Sequence, residues 1–176
     1  MILDACCGAM KMYDGWHKKL GDELITIDIR KGDFSYYSPY GWNPQKQGFT
    51  EVIVRPTVKA DMKYLPFREN IFDAVIFDPP HLDVGKGSNL DKLYGSWTRT
   101  ECIKTLVAVN EEFKRVLKPR GFIIMKVRRK YFFSIFEPLL TNFCFFLPIE
   151  RRSGAYHKKD GKHRRILWAI GQLKGE

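Results

Sequence analysis

Long apolar runs are missing from this 176-residue chain. Its densest cluster, around Phe143 to Leu147, falls far short of the roughly 20 residues that a membrane-spanning helix needs. No basic stretch followed by an apolar core opens MILDACCG, so neither a membrane span nor a secretory leader is expected. Cysteine is scarce. Cys6, Cys7, Cys102 and Cys144 show no C-x-x-C spacing, and none of the four histidines stands where it would complete a zinc site. Disulfides and a metal are not expected, and reduced thiols in a cytoplasmic protein are. Acid is also in short supply, because 20 Asp and Glu against 30 Lys and Arg leave a net charge of +10. That balance points to a polyanionic partner, nucleic acid first, with solubility alone as the plainer explanation. The composition itself, 44% apolar, 14% aromatic and 28% charged, is that of a globular chain. Its length suits one domain over residues 1–176 with no separate target-recognition domain.

Periodicity divides the chain into alternating strands and helices. MILDA reads as a short strand ending at Asp4, residues 9–20 as a helix, and ELITIDI as a strand ending at Asp28. Residues 30–50, rich in Gly, Pro, Ser and Asn with interspersed Tyr and Trp, read as a long surface loop. Weak strands follow at 51–55 and 57–60, the latter just before Asp61. FDAVIF, residues 72–77, is the strongest strand, and its unbroken apolar character predicts burial on both faces of a parallel sheet. From Thr98, which forms a capping box with Glu101, the positions Cys102, Ile103, Leu106, Val107, Phe113, Val116 and Leu117 recur at helical spacing until Pro119 and Gly121 end the run. A strand at 122–127, a helix near 131–141 and strands near 144–150 and 165–171 complete the pattern. It predicts a doubly wound α/β sheet with its ligand crevice at the carboxyl ends of the strands.

Acids mark those ends. Asp4, Asp28, Asp61 and Asp78 each close, or stand beside the end of, one strand of that series. A single acid there is an ordinary turn residue or helix cap, but four in succession converge on one crevice. Asp28 lies 20 residues after Gly8, the spacing at which an acid accepts hydrogen bonds from the ribose of a nucleoside-containing cofactor.

Taken in order, ILDACCG, ITIDI, VKADMKYLPF, FDAVIFDPPH and FKRVLKPRGFIIMK resemble the successive motifs of class I S-adenosylmethionine-dependent methyltransferases. The resemblance spans nearly the whole chain. It implies a Rossmann-like fold, a mostly parallel seven-stranded sheet with helices on both faces and an antiparallel C-terminal strand, and S-adenosyl-L-methionine as cofactor. It further implies that Asp4, Ala5, Cys6 and Gly8 carry the methionine part, that Asp28, with Ile29 beside it, binds ribose, and that Asp61 and Met62 approach adenine. The first loop, CCGAMKM, keeps only Gly8 where the family is usually richer in glycine. Cys6 and Cys7 are either cofactor-lining residues or simply small packed ones.

Asp78-Pro79-Pro80-His81 resembles the [D/N/S]-P-P-[Y/F/W] motif of amino-group methyltransferases acting on adenine N6, cytosine N4 or guanine N2. A small prokaryotic and phage-associated group carrying DACCG with DPPH is similar as well. The chemistry accounts for the residue types. An exocyclic amine delocalises its lone pair into the ring, and a carboxylate and a rigidly held carbonyl that accept its two N–H bonds shift it toward attacking geometry. The resemblance implies that Asp78 and the Pro79 carbonyl, with Pro80 beside it, fill those roles. No nucleophilic cysteine is required, and the Pro-Cys of cytosine C5 methylation does not occur. His81, in the aromatic position, stacks on the base, contacts another acceptor or serves the turn. Residues 82–97 read as a polar flap in which Tyr94 and Trp97 shape the pocket or the core, and GKGS lacks the framing of a phosphate loop.

Cations for nucleic acid are expected in two places. Lys126, Arg128 and Arg129 follow the fifth strand. Arg151, Arg152, Lys158, Lys159, Arg164 and Arg165 belong to the segment 151–165, which holds seven Lys or Arg against one Asp, with Tyr156, His157 and His163 interleaved. The same fold acting on a small-molecule or protein amine, and a non-catalytic nucleic-acid-binding module, are the competing expectations.

Overall fold

The structure, a computed structural model, describes residues 1–8, 23–38, 48–88, 91, 94–146, 148–157 and 162–175. Its strands and helices are, in chain order, β1 (Ile2–Asp4), β2 (Leu24–Asp28), β3 (Gly32–Ser38), β4 (Gly48–Val54), β5 (Val58–Lys59), β6 (Phe72–Phe77), β7 (His81–Leu82), β8 (Ser96–Trp97), α1 (Arg99–Val116) and β9 (Leu117–Arg128). A helical stretch then passes from α2 (Arg129–Tyr131) through a π-helical turn (Phe132–Phe136) to α3 (Glu137–Leu139), before β10 (Phe143–Phe145), β11 (Ile149–His157) and β12 (Lys162–Leu173).

The main sheet runs β10-β12-β9-β6-β1-β2-β5. The five strands β9, β6, β1, β2 and β5 are parallel, and β12 is antiparallel to β9. β10 and β11 both pair with β12, at Phe143↔Leu173 and Ile149↔Trp168. Since β9 holds the opposite edge, these two share one flank, and the sheet is seven strands wide with eight strands in it. The mostly parallel sheet with an antiparallel C-terminal strand is therefore present. Gly171 sits where β10 crosses: a Cβ there would lie 2.8 Å from the Phe145 ring and 3.1 Å from Ile123, so only glycine lets the strands meet.

Two expectations about the strands need correction. Much of the segment 30–50 is not loop, because β3 pairs with β4 as an antiparallel hairpin from Gly32↔Val54 to Ser38↔Gly48. Its alternating Phe34, Tyr36 and Phe49 are residue types that strands favour, and the turn-forming composition masked them. The basic segment, read as a hairpin-like connection between the last two strands, is itself mostly strand: β11 and β12 pair out to His157↔Lys162. The helix read at 9–20 lies outside the described residues.

Helix α1 begins as its sequence predicts. Thr98 Oγ1 accepts from the Glu101 amide at 3.2 Å while Glu101 Oε2 accepts from the Thr98 amide at 2.7 Å, which satisfies two otherwise unpaired donors. Cys102, Leu106, Val109, Phe113 and Val116 are buried, whereas Ile103 and Val107 face outward, so the apolar stripe is narrower than the spacing implied. At roughly 1.5–3 kcal/mol per large buried side chain, this stripe fixes α1 on the sheet. Phe77 of β6 meets Phe113 of α1 at 5.3 Å and Phe136 of the π-helical turn at 6.3 Å, placing both helical elements on one face. On β6 Val75 and Phe77 are wholly buried and Ala74 and Ile76 only partly, so among the described residues the second face is less covered than continuous apolarity predicted.

Parallel pairing brings the carboxyl ends of β1, β2, β5, β6 and β9 to one edge. β12 runs past that edge, since Ile166 pairs with Arg128, the last residue of β9. Residues 162–165 and their partners on β11 consequently project beyond the crevice.

Candidate active site

The first loop crosses between β1 and its neighbours on a chain of backbone bonds. The Ala5 amide donates to the Ile76 carbonyl at 3.0 Å, the Cys6 amide to Asp4 Oδ1 at 3.1 Å and the Cys7 amide to the Ile27 carbonyl at 2.9 Å. Asp4 is 1% exposed, so this carboxylate anchors the loop from inside. The Cys6 thiol donates to the Asp78 carbonyl at 3.0 Å. Burial, with the charges of Asp4 and Asp78 adding to it, pushes that thiol well above the usual range and keeps its proton in place. Cys7, buried near Asp4 and Asp28, is pushed up to about 12. Burial thus disfavours the thiolate, the nucleophilic form, in both. Through its hydrogen bond to the Asp78 carbonyl, Cys6 links the first loop to the proline turn.

At the end of β2, Asp28 is 6% exposed and accepts four hydrogen bonds. The Gly8 amide donates to Oδ2 at 3.0 Å, the Arg30 amide to Oδ1 at 2.8 Å, and the Arg30 guanidinium to both oxygens at 3.0 and 3.2 Å. Gly8 has φ +51°, a conformation natural to glycine, and there its amide faces the acid. Ile29, the next residue, is 62% exposed. A buried acid beside an exposed branched apolar side chain at the carboxyl edge fits a ribose and the flat base it carries. Arg30, which the sequence reading overlooked, holds the carboxylate that such hydroxyls need.

The Ala60 amide donates to the Asp28 carbonyl at 3.2 Å, which brings Asp61 alongside. Asp61 Oδ1 accepts from the Lys63 amide at 2.9 Å, and Met62 packs on the core. A network behind this segment holds it to α1. Glu112 Oε2 accepts from the Leu65 amide at 2.7 Å, and Arg115 donates to the Phe67 carbonyl at 2.7 Å and the Leu65 carbonyl at 3.0 Å. The Arg115 guanidinium hydrogen-bonded to Glu112 holds that carboxyl below its ordinary range.

Asp78, immediately after β6, is one-third exposed, and its Oδ2 accepts from Lys126 Nζ at 2.7 Å. The register explains the meeting: Phe77 pairs with Met125, so the next residue of each strand stands side by side. Lys126 Nζ also lies 5.9 Å from the Trp168 ring centroid, within cation–π range. Asp78, Pro79, Pro80, His81, Lys126 and Arg128 line one pocket, to which Tyr131 and Ile166 also contribute. His81 begins β7, which pairs with β8 at Ser96, and its ring meets Tyr94 edge-on at 5.6 Å. Burial and then the Arg128 charge pull the imidazole below its usual range, so it is neutral at pH 7.

The expected cations divide. Lys126 pairs with Asp78, and Arg129 and Arg165 both bind Glu150 at 2.9 Å. Arg128 lines the pocket, and among the described residues no side chain pairs with its guanidinium. Arg151 is exposed; Arg152 and Arg164 lie on β11 and β12; Lys158 and Lys159 lie outside the described residues. Among the described residues there is no cluster of three metal-ligating side chains and no helix long and apolar enough to cross a membrane.

No protein-family model matches the chain, and no curated protein matches it. Solved structures do match in fold. The chain is similar to a SAM-dependent methyltransferase from Methanosarcina mazei at 16% identity, covering 99% of this chain and 92% of that one with a TM-score of 0.55. It is similar to the antibiotic-resistance methyltransferase Kmr at 13% identity, covering 99% and 87% with a TM-score of 0.52. A SAM-dependent methyltransferase from Aquifex aeolicus matches at 16% identity, covering 96% and 80% with a TM-score of 0.50. The fold is thus the Rossmann-like methyltransferase fold.

Proposed function

We propose that the protein is an S-adenosylmethionine-dependent methyltransferase acting on an exocyclic amino group of a base in DNA or RNA. One observation carries this reading: the Asp78-Pro79-Pro80 turn stands at the crevice edge, with its backbone held by the Cys6 thiol of the first loop. The loop for the methionine part and the turn for the acceptor are thereby one unit. Asp28, Gly8 and Ile29 hold the ribose and adenine side, with Asp61 and Met62 next to them. When bound, the cofactor supplies an electrophilic methyl group on a positively charged sulfur.

Asp78 and the Pro79 carbonyl accept the two N–H bonds of the amine and turn its lone pair toward that methyl. As the new N–C bond forms, the methyl–sulfur bond would break with its electron pair left on the departing sulfur, and the amine nitrogen, made positive, would release a proton, for which the Asp78 carboxylate is the nearest acceptor. His81, neutral and half-buried, presents a planar ring without adding charge to the pocket. Arg128, Arg151 and the β11–β12 hairpin beyond the crevice supply cations for a phosphate backbone.

A second reading, a small-molecule or protein amine as acceptor, is favoured by Glu150, which engages Arg129 and Arg165 and lowers the charge available to a polyanion. Incubation with methyl-labelled cofactor and separate DNA, RNA and protein pools, followed by digestion, distinguishes the two. Label on an N-methylated nucleoside supports the first, and label on a protein fraction or none on nucleic acid removes it.

A further inference from the structure

The Lys126–Asp78 pair is unexpected in a turn whose carboxylate is meant for an amine. Lys126 Nζ binds Asp78 Oδ2 at 2.7 Å, yet both side chains are one-third exposed and the ammonium also rests near the Trp168 ring. An exposed ion pair of this kind is weak, worth about 0–1 kcal/mol, so a competing anion can draw the lysine away. Such an anion has a second partner ready. Arg128 follows Lys126 by two residues, on the same alternation of β9 and about 6.6 Å further along the strand, and it lines the same pocket with no side-chain partner among the described residues. Two cations at that separation suit one tetrahedral dianion or diester, which Arg binds through its fork and Lys as a point charge.

We propose that Lys126 and Arg128 form a phosphate subsite beside Asp78, and that a phosphate on the acceptor draws Lys126 off Asp78 and so frees the carboxylate. The proposal deepens the preceding reading and rests on it for the role of Asp78. Phosphate binding and exposure of the acid are then coupled, and coupling is reciprocal: whatever weakens the Lys126–Asp78 pair strengthens phosphate binding. A phosphate-bearing acceptor activates its own acid, while a bare nucleoside meets a carboxylate already engaged. The phosphate belongs either to a polynucleotide diester or to a free nucleotide monoester.

Isothermal titration of adenosine 5′-monophosphate, of a short oligonucleotide and of adenosine, into the wild-type chain and its variants, tests this without reference to methyl transfer. Asp78→Asn is expected to tighten binding of the phosphate-bearing probe by about tenfold, within the usual range of coupling. Lys126→Met is expected to weaken it by a similar factor and to abolish the gain from Asp78→Asn in the double variant. Lys126→Arg retains binding and, with unchanged thermal melting, excludes misfolding as the cause. Preference for the monophosphate assigns a free nucleotide, and preference for the oligonucleotide a polynucleotide; in both cases adenosine binds more weakly. Equal binding of adenosine, or an Asp78→Asn gain that persists in the Lys126→Met background, overturns the subsite. If the coupling is present but no methylated nucleoside forms, the subsite stands and the proposed reaction fails.

Discussion

Two aspartates stand at the carboxyl ends of β2 and β6, the strands on either side of β1, and their surroundings differ sharply. Asp28 is 6% exposed, with its carboxylate filled by one glycine amide and three donors from Arg30. Asp78 is 34% exposed and has one ammonium on one oxygen. Of the roughly four acceptor sites on a carboxylate, protein donors engage the first heavily, whereas the second carries a single ammonium. The difference separates an acid that builds a binding site from an acid left able to act on a substrate. Both are tied through the backbone as well, the Asp28 carbonyl to the Ala60 amide and the Asp78 carbonyl to the Cys6 thiol.

If this contrast is right, Asp78→Asn has the largest effect on turnover. Loss of a charged acceptor at the reacting centre is expected to lower kcat by about 10²–10³-fold, with cofactor binding by titration calorimetry nearly unchanged. A parallel fall in both would place Asp78 in the same class as Asp28. Asp28→Ala is expected to do the reverse, weakening cofactor binding and removing about 3 kcal/mol of stability, because the Arg30 guanidinium loses the carboxylate it is packed against. Urea denaturation checks the second part, and a variant as stable as wild type would mean the four hydrogen bonds hold nothing together.

The Glu112–Arg115 network sharpens the comparison from behind, since it holds the segment of Asp61 and Met62 beside Asp28. Glu112→Gln is expected to remove about 2 kcal/mol, the usual loss when a charged hydrogen bond is broken. Its pH dependence has a definite sign. The folded carboxyl titrates below its ordinary value of 4.5, so its contribution is fully present above that value and is lost as pH falls through the lower folded value. The stability gap between wild type and Glu112→Gln should accordingly be constant near neutrality and close under acid conditions. The smallest expected effect is that of Cys6→Ala, about 1 kcal/mol for one hydrogen bond, and Cys6→Ser should restore most of it. Equal melting temperatures for all three would show that the thiol does not secure the turn.

Much of this was legible in the sequence where local pattern and chemistry agree. β1, β2 and β6 announce themselves by apolar runs closed by acids, and the Thr98–Glu101 capping box forms as read. What escaped depends on who stands beside whom. Lys126 reads as one more rim cation until the β6–β9 register sets it next to Asp78. Glu150, just before the basic segment, drew no notice in the sequence, and it is the hairpin and α2 that bring Arg165 and Arg129 to it. Arg30 reads as the first residue of a loop, whereas its side chain folds back two positions onto Asp28. The hairpin β3–β4 was concealed because glycine, proline and serine dominate its ends, and composition alone does not reveal antiparallel pairing.

The most direct measurement is the fate of a deuterium-labelled methyl group from S-adenosylmethionine, followed by mass spectrometry of nucleosides digested from DNA and RNA treated with the wild-type chain or with Asp78→Asn. The account predicts labelled methyl on an exocyclic nitrogen of adenine, cytosine or guanine with the wild-type chain, and its near disappearance with Asp78→Asn. Label on a ring carbon, or equal label from both proteins, would contradict it.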